Sequence, residues 1–281
     1  MLRLNNVEKY RQEVQIGLKE LFDMCRFKLL HDGDLLLCQQ NGFIAYNECP
    51  CVGLGEAGIN CLAKINSIYR AGIGEITDDD DYFIRHGQGF CFGTSELERT
   101  IEKEKNTYLD IWENIFFLRT LTQVINILNQ CNYDWSLDLS QLRPNEKSKH
   151  IREQIIYRLD LSPKFQQIIK IAYVGQIRNA IAHSQYHCVQ GGILYDNYKK
   201  DKYSTLQGLS FEEWEQKYIY SFLIFKGIFS FLNDIKNEVY LRALADAHIK
   251  AIPVQVPTNT NGWRIAYLYP NETGDIWRFV Q

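Results

Sequence analysis

The sequence predicts a mainly α-helical chain of 281 residues, and three observations carry that reading. Apolar residues recur at three- and four-residue steps over long stretches, the period of one buried helix face. Helix-start chemistry stands ahead of two of those stretches. Strand-like segments are short and bounded by turn residues. Hydrophobic residues make up 46% of the chain and aromatics 13%, enough to fill a core at this length. Three regions are expected: an N-terminal α+β region over 1–104, a helical domain over 105–250, and a C-terminal β-hairpin over 251–281.

Val7, Tyr10, Val14, Leu18, Leu21, Phe22 and Cys25 keep helical spacing, so residues 4–30 read as one amphipathic helix. Leu35 to Cys38 and Phe43 to Tyr46 flank Gln39-Gln40-Asn41-Gly42, whose Asn-Gly pair suits a tight hairpin turn, and a small β element is expected there. Residues 59–71 read as a short helix, and 72–95 as a Gly- and Asp-rich loop with a strand at 82–84. Trp112, Ile115, Leu118, Leu121, Ile125 and Leu128 form a stripe that predicts one helix over 98–130. A loop from Asn132 to Asn145 leads to a basic helix over 146–159.

Ser162-Pro163 starts the next helix, because Ser is a good N-cap and Pro fits the first helical position, where its missing N–H costs nothing. That helix is expected to run through Phe165, Ile168, Ile169, Ala172 and Ile177 into Arg178-Asn179-Ala180-Ile181-Ala182-His183, with Gly191-Gly192 ending the helical region. Ile193 to Tyr198 and Tyr203 to Leu206 read as a hairpin across Lys199-Lys200-Asp201-Lys202. Ser210 and Glu213 fit a capping box that opens a long helix lined by Trp214, Tyr218, Phe222, Phe225, Phe229, Leu232 and Val239. Trp263 to Tyr269 and Ile276 to Val280 form the C-terminal hairpin around the turn that starts at Pro270.

The formal charge of −3 and pI near 6.1 exclude a protein that coats nucleic acid by overall basicity, so any RNA contact must be local. From Gly74 to Asn114 eleven acidic residues face four basic ones, with Asp78-Asp79-Asp80-Asp81 at the centre. From Arg143 to Arg178 eight basic residues face three acidic ones, so Lys147, Lys149, Arg152 and Arg158 are the candidate RNA-binding side chains. The eight cysteines are scattered and the amino terminus has no cationic segment followed by an apolar core, so a cytoplasmic protein with reduced thiols is expected. The run from Tyr218 to Leu232 is interrupted by Lys226 and is too short to span a bilayer, so no membrane segment is expected.

Arg178, Asn179 and His183 put a guanidinium, an amide and an imidazole within two helical turns. Asn179 and His183 fall on one face a single turn apart, and Arg178 can reach toward them along its stem. The negative end of a helix dipole favours an imidazolium at His183. RNA cleavage needs a base for the 2′-OH proton, an acid for the 5′-oxygen and a cation on the phosphorane oxygens, and a guanidinium suits the last because its planar fork matches phosphate. The Arg-Asn-x3-His pattern over 178–183 resembles the signature of the HEPN superfamily (higher eukaryotes and prokaryotes nucleotide-binding).

The resemblance covers roughly residues 105–250. It implies a HEPN-like helical bundle of four to five helices, whose catalytic residues are Arg178, Asn179 and His183. It further implies a metal-independent endoribonuclease with no cofactor, serving as a toxin or anti-phage defence effector and leaving a 2′,3′-cyclic phosphate. Its partners would be RNA, a second copy of the chain in a homodimer that pairs both signatures in one groove, and an antitoxin or defence-complex protein. Some toxins of the family carry a regulatory Tyr two residues after the His, whereas here Gln185 holds that place and Tyr186 follows. The alternative is a non-catalytic HEPN module that binds RNA, a nucleotide or a protein.

Other constellations are weaker. His183 and His187 stand four apart without the Glu of a His-Glu-x-x-His hydrolase. Cys38, Cys49, Cys51 and Cys61 lack the paired spacing of a zinc site. Gly53-Leu54-Gly55-Glu56-Ala57-Gly58 matches a dinucleotide-binding pattern, yet no buried strand precedes it and Pro50 would break one. Asp78 to Asp81 read as a solvated loop. No metal site is expected.

Overall fold

The structure, a computed structural model, describes residues 2–29, 33–38, 51–52, 76–77, 95–189, 191–199, 205–245, 251–257, 262–270 and 277–280. Over these it is mainly helical, with two small antiparallel sheets and one two-stranded parallel pair. The elements are β1 (Leu2–Arg3), α1 (Leu4–Lys28), α2 (Asp34–Leu37), β2 (Cys51–Val52), β3 (Ile76–Thr77), α3 (Ser95–Glu113) and α4 (Ile115–Leu128). After α5 (Pro144–His150), which continues as a π turn and a 3-10 turn to Arg158, come α6 (Pro163–Ala172), α7 (Gly175–Ala182), β4 (Tyr186–Val189) and β5 (Gly192–Tyr195). Then follow β6 (Gly208–Ser210), α8 (Phe211–Ala245), β7 (Ile252–Pro257), β8 (Trp263–Pro270) and β9 (Trp277–Val280). No helix among the described residues is long and apolar enough to cross a membrane.

The chain divides into two compact units, each assembled from three separate stretches. The first takes residues 1–17, 65–114 and 164–225. Its core joins Tyr10 and Val14 of α1, Tyr108, Ile111 and Trp112 of α3, Phe165 and Ile169 of α6, Ile177 of α7, and Trp214 and Tyr218 of α8. Aromatic rings dominate it, with Trp112 and Tyr173 at 4.8 Å and Tyr108 and Trp214 at 5.5 Å between centroids. Ring pairs at such distances contribute about 0.5–1.5 kcal/mol beyond the area they bury. A three-stranded antiparallel sheet in the order β4-β5-β6 lies in this unit, and β1 pairs in parallel with β3.

The second unit takes residues 18–64, 115–163 and 226–281. Its antiparallel sheet has the order β2-β9-β8-β7, so the C-terminal hairpin gains a strand on each side. Pro253 and Pro257 fall in β7 at the sheet edge, the position where a missing N–H is tolerated. Val254, Val256, Leu268 and Phe279 form the buried face, and Trp135 packs 6.2 Å from Phe279. Thr122 Oγ1 of α4 hydrogen-bonds Leu118 O at 2.7 Å and His150 Nε2 at 2.8 Å. The hydroxyl has one proton to donate and a carbonyl can only accept, so Nε2–H of His150 must donate to Thr122.

Four sequence expectations are corrected. The single helix over 98–130 is two, because the chain breaks at Asn114, whose N–H reaches back to Ile111 O at 3.2 Å, the tighter three-residue bond. A one-residue break leaves the apolar stripe in phase, so periodicity does not reveal it. Leu35 to Cys38 are not a strand: α2 covers Asp34–Leu37, and a short run whose side chains are all buried fits helix and strand alike. The helix that starts at Pro163 stops at Ala172, and α7 starts at Gly175. The helical region ends at Ala182 and the following hairpin is β4–β5, since Tyr186–Val189 is a strand.

Several expectations fall outside the described residues: the strand from Phe43 to Tyr46 with its turn, the helix over 59–71, the strand at 82–84, Gly53–Gly58, Asp78–Asp81, the Cys49 and Cys61 placements, and the chain from Lys200 to Ser204. The long helix after Ser210 is found as expected, opened by Ser210 N–H to Glu213 Oε2 at 2.8 Å and Glu213 N–H to Ser210 Oγ at 3.2 Å.

Candidate catalytic site on the signature helix

The first unit holds the Arg-Asn-x3-His signature, with Arg178 and Asn179 on α7, a helix of eight residues, and His183 at its C-cap. The interruption at Tyr173–Val174 exposes backbone groups that need partners, and the Tyr108 hydroxyl supplies both. It accepts the Val174 N–H at 3.1 Å and donates to Ala172 O at 3.1 Å. Burial pushes the Tyr108 phenol well up, so it stays a neutral donor. Lys217 of α8 donates to Ile171 O at 3.1 Å and closes the end of α6. Gln176 ties the first turn of α7 to the loop before β6, through Leu206 O at 2.7 Å and Leu206 N–H at 2.9 Å.

Arg178 is buried, with 3% of its side chain exposed, and its guanidinium forms an ion pair with Glu113 at the end of α3. Its Nη1 also donates to Asn179 Oδ1 at 2.8 Å. Burial pulls the guanidinium below its ordinary value, yet arginine starts so high that it stays charged. The sequence placed this cation on a phosphate, whereas the structure engages its fork with a carboxylate and with the neighbouring amide. Asn179 is half-buried. With its oxygen held by Arg178, its amide protons point away from that bond and remain donors.

His183 is exposed at the C-cap of α7, with φ −112° and ψ 11°. Its N–H bonds Asn179 O at 3.1 Å, while Ser184 N–H bonds Ile181 O at 3.2 Å and Gln185 N–H bonds Ala180 O at 2.8 Å. That nested pair with Ser184 at φ 52° is a Schellman closure made without glycine. It ends the helix at the imidazole and turns the chain into β4.

Tyr186 lies over α3. The Lys105 Nζ sits 3.6 Å from its ring centroid, and its hydroxyl donates to Glu102 at 3.2 Å. Lys105 is itself buried and pairs with Glu102 at 2.5 Å. The next residue, His187, faces the opposite side of β4 and carries its Nδ1 3.2 Å from Asp196 Oδ1. Neither Glu102, Glu113 nor Asp196 was singled out from the sequence. Only an acidic count between Gly74 and Asn114 hinted at the first two.

The candidate RNA-binding residues Lys147, Lys149, Arg152 and Arg158 belong to the second unit, whereas the signature belongs to the first. Arg158 is used locally, donating to Asn126 Oδ1 at 2.8 Å, and Arg152 pairs with Glu153 at 3.3 Å. Among the described residues no group of three or more His, Cys, Asp or Glu stands together as a metal site. No family model, curated protein or solved structure matches the chain.

Proposed function

We propose that the chain is a metal-independent endoribonuclease of the HEPN type, a cytoplasmic toxin or anti-phage effector that acts as a homodimer. The observation that carries the reading is His183, an exposed imidazole at a closed helix end, one turn from the half-buried amide of Asn179. A proton carrier beside a fixed hydrogen-bond donor is the minimum that transfer of a phosphoryl group to a 2′-oxygen requires. Here Arg178 works through Asn179, holding its oxygen so that the amide protons meet the phosphorane oxygens. Pairing of two signatures would raise the local positive charge on a chain whose net charge is −3.

The ion pair of buried Arg178 with Glu113 favours a second reading, a non-catalytic module in which the signature is a structural brace. Cleavage of a short RNA by wild-type and His183→Ala proteins, with EDTA present throughout, separates the two. The nuclease reading expects cleavage in EDTA, a 2′,3′-cyclic phosphate product and a loss of roughly 10²–10⁴-fold in the variant. Equal rates for the two proteins would leave the module.

A further inference from the structure

We propose that His187, oriented by Asp196, is a second catalytic group: the general base that takes the 2′-OH proton while His183 serves as the acid. The inference rests on the ribonuclease reading above. That reading supplies one imidazole per chain, and cleavage moves two protons on opposite sides of the phosphorus, so the second carrier is either His183 of a paired copy or another group of this chain, which the test below separates.

His187 fits the second role on geometry. Nδ1 of His187 stands 3.2 Å from Asp196 Oδ1, and a carboxylate can only accept, so the ring carries its proton on Nδ1 and leaves the Nε2 lone pair free to take another. This is the same use of a carboxylate that fixes the tautomer of a triad histidine. Both side chains are 55% exposed, so the base is open to a substrate. Strand alternation puts His187 on the solvent face beside exposed Leu194, its cross-strand partner, while Tyr186 before it is anchored to α3.

The hairpin also fixes the dyad next to the signature. Asp196 N–H donates to Gln185 O at 2.9 Å, and Gln185 lies midway between the two histidines in the chain. Gln185 in turn donates to Ala180 O at 2.8 Å, so the strand that carries His187 is hydrogen-bonded to the helix that carries His183. Four residues of chain span at most about 14 Å even when extended, and the turn at Ser184 shortens that. In the step itself, His187 Nε2 removes the 2′-O–H proton and O2′ forms a bond to phosphorus. The P–O5′ bond breaks and its electron pair takes a proton from the His183 imidazolium. Exchange with water then returns one proton to His183 and removes one from His187.

The test compares wild type, His183→Ala, His187→Ala, His187→Gln and Asp196→Asn on a short RNA and on the same RNA with sulfur in place of the bridging 5′-oxygen. A thiolate leaves without an acid, so the sulfur substrate should restore His183→Ala to within about tenfold of wild type and leave His187→Ala at least about 100-fold slow. His187→Gln and Asp196→Asn should flatten the acidic limb of the kcat/KM pH profile, which a merely structural role would not do, and circular dichroism checks that each variant folds. Should His187→Ala misfold, His187→Gln and Asp196→Asn carry the same comparison. If His187→Ala and Asp196→Asn cut at wild-type rates with an unchanged pH profile while His183→Ala is inactive, the ribonuclease reading stands and this inference falls. If wild type cuts neither RNA, the ribonuclease reading itself falls and takes the inference with it.

Discussion

Replacing Arg178 by Met should destabilise the first unit by about 2–3 kcal/mol. Arg178 leaves only 3% of its side chain in water and Glu113 leaves 27%. Removing one partner of a buried ion pair costs about 3–5 kcal/mol, because the other charge stays desolvated without compensation. Water still reaches part of Glu113 and can take up some of its charge, which places the loss toward or below the low end of that range. Met keeps the length of the stem, so little of the loss comes from a cavity. The double variant Arg178→Met/Glu113→Leu removes both charges and should recover to within about 1 kcal/mol of wild type, since an apolar pair avoids the desolvation penalty. Urea unfolding followed by tryptophan fluorescence reports both, with Trp112 and Trp214 buried in the same unit. A loss under about 0.5 kcal/mol in Arg178→Met, or a double variant no more stable than the single one, would refute the brace described for Glu113 and Arg178.

Tyr108→Phe removes the hydroxyl that serves both Val174 N–H and Ala172 O, and should cost about 1–3 kcal/mol with faster amide exchange at the start of α7; unchanged exchange at Val174 would count against the bridge. Ser184→Gly should stabilise by about 0.5–1 kcal/mol, because Ser184 sits at φ 52° where a Cβ is unfavourable, and a lower melting temperature would contradict this. His150 is held below its ordinary value near 6.5, first by burial and then by Arg158, so the unfolded chain binds a proton that the folded chain refuses. Its contribution is fully present above about pH 6.5 and is lost as pH falls through that value toward the lower folded one. His150→Gln should therefore show a smaller stability difference between about pH 7.5 and pH 5 than wild type, measured by urea unfolding at each pH.

What could be read from the chain alone is what local chemistry controls. The 25-residue α1 and the 35-residue α8 follow from apolar periodicity, because a long amphipathic stripe has no other way to be buried. The Ser210–Glu213 box and the start at Pro163 follow from side chains acting within one turn of themselves. That Asn179 and His183 stand one helical turn apart also follows, from their four-residue spacing alone. The rest depends on residues distant in sequence that meet only after folding. Tyr108 turns one helix into two at Tyr173–Val174 by satisfying backbone groups that a continuous helix would have paired internally. Glu113 of α3 ion-pairs with Arg178 of α7, a contact between residues far apart in the chain that no local pattern announces. Asp196 orients His187 because β4 and β5 pair in the register that sets Tyr186 against Tyr195 and His187 against Leu194, and a cross-strand register is a tertiary property of the folded hairpin.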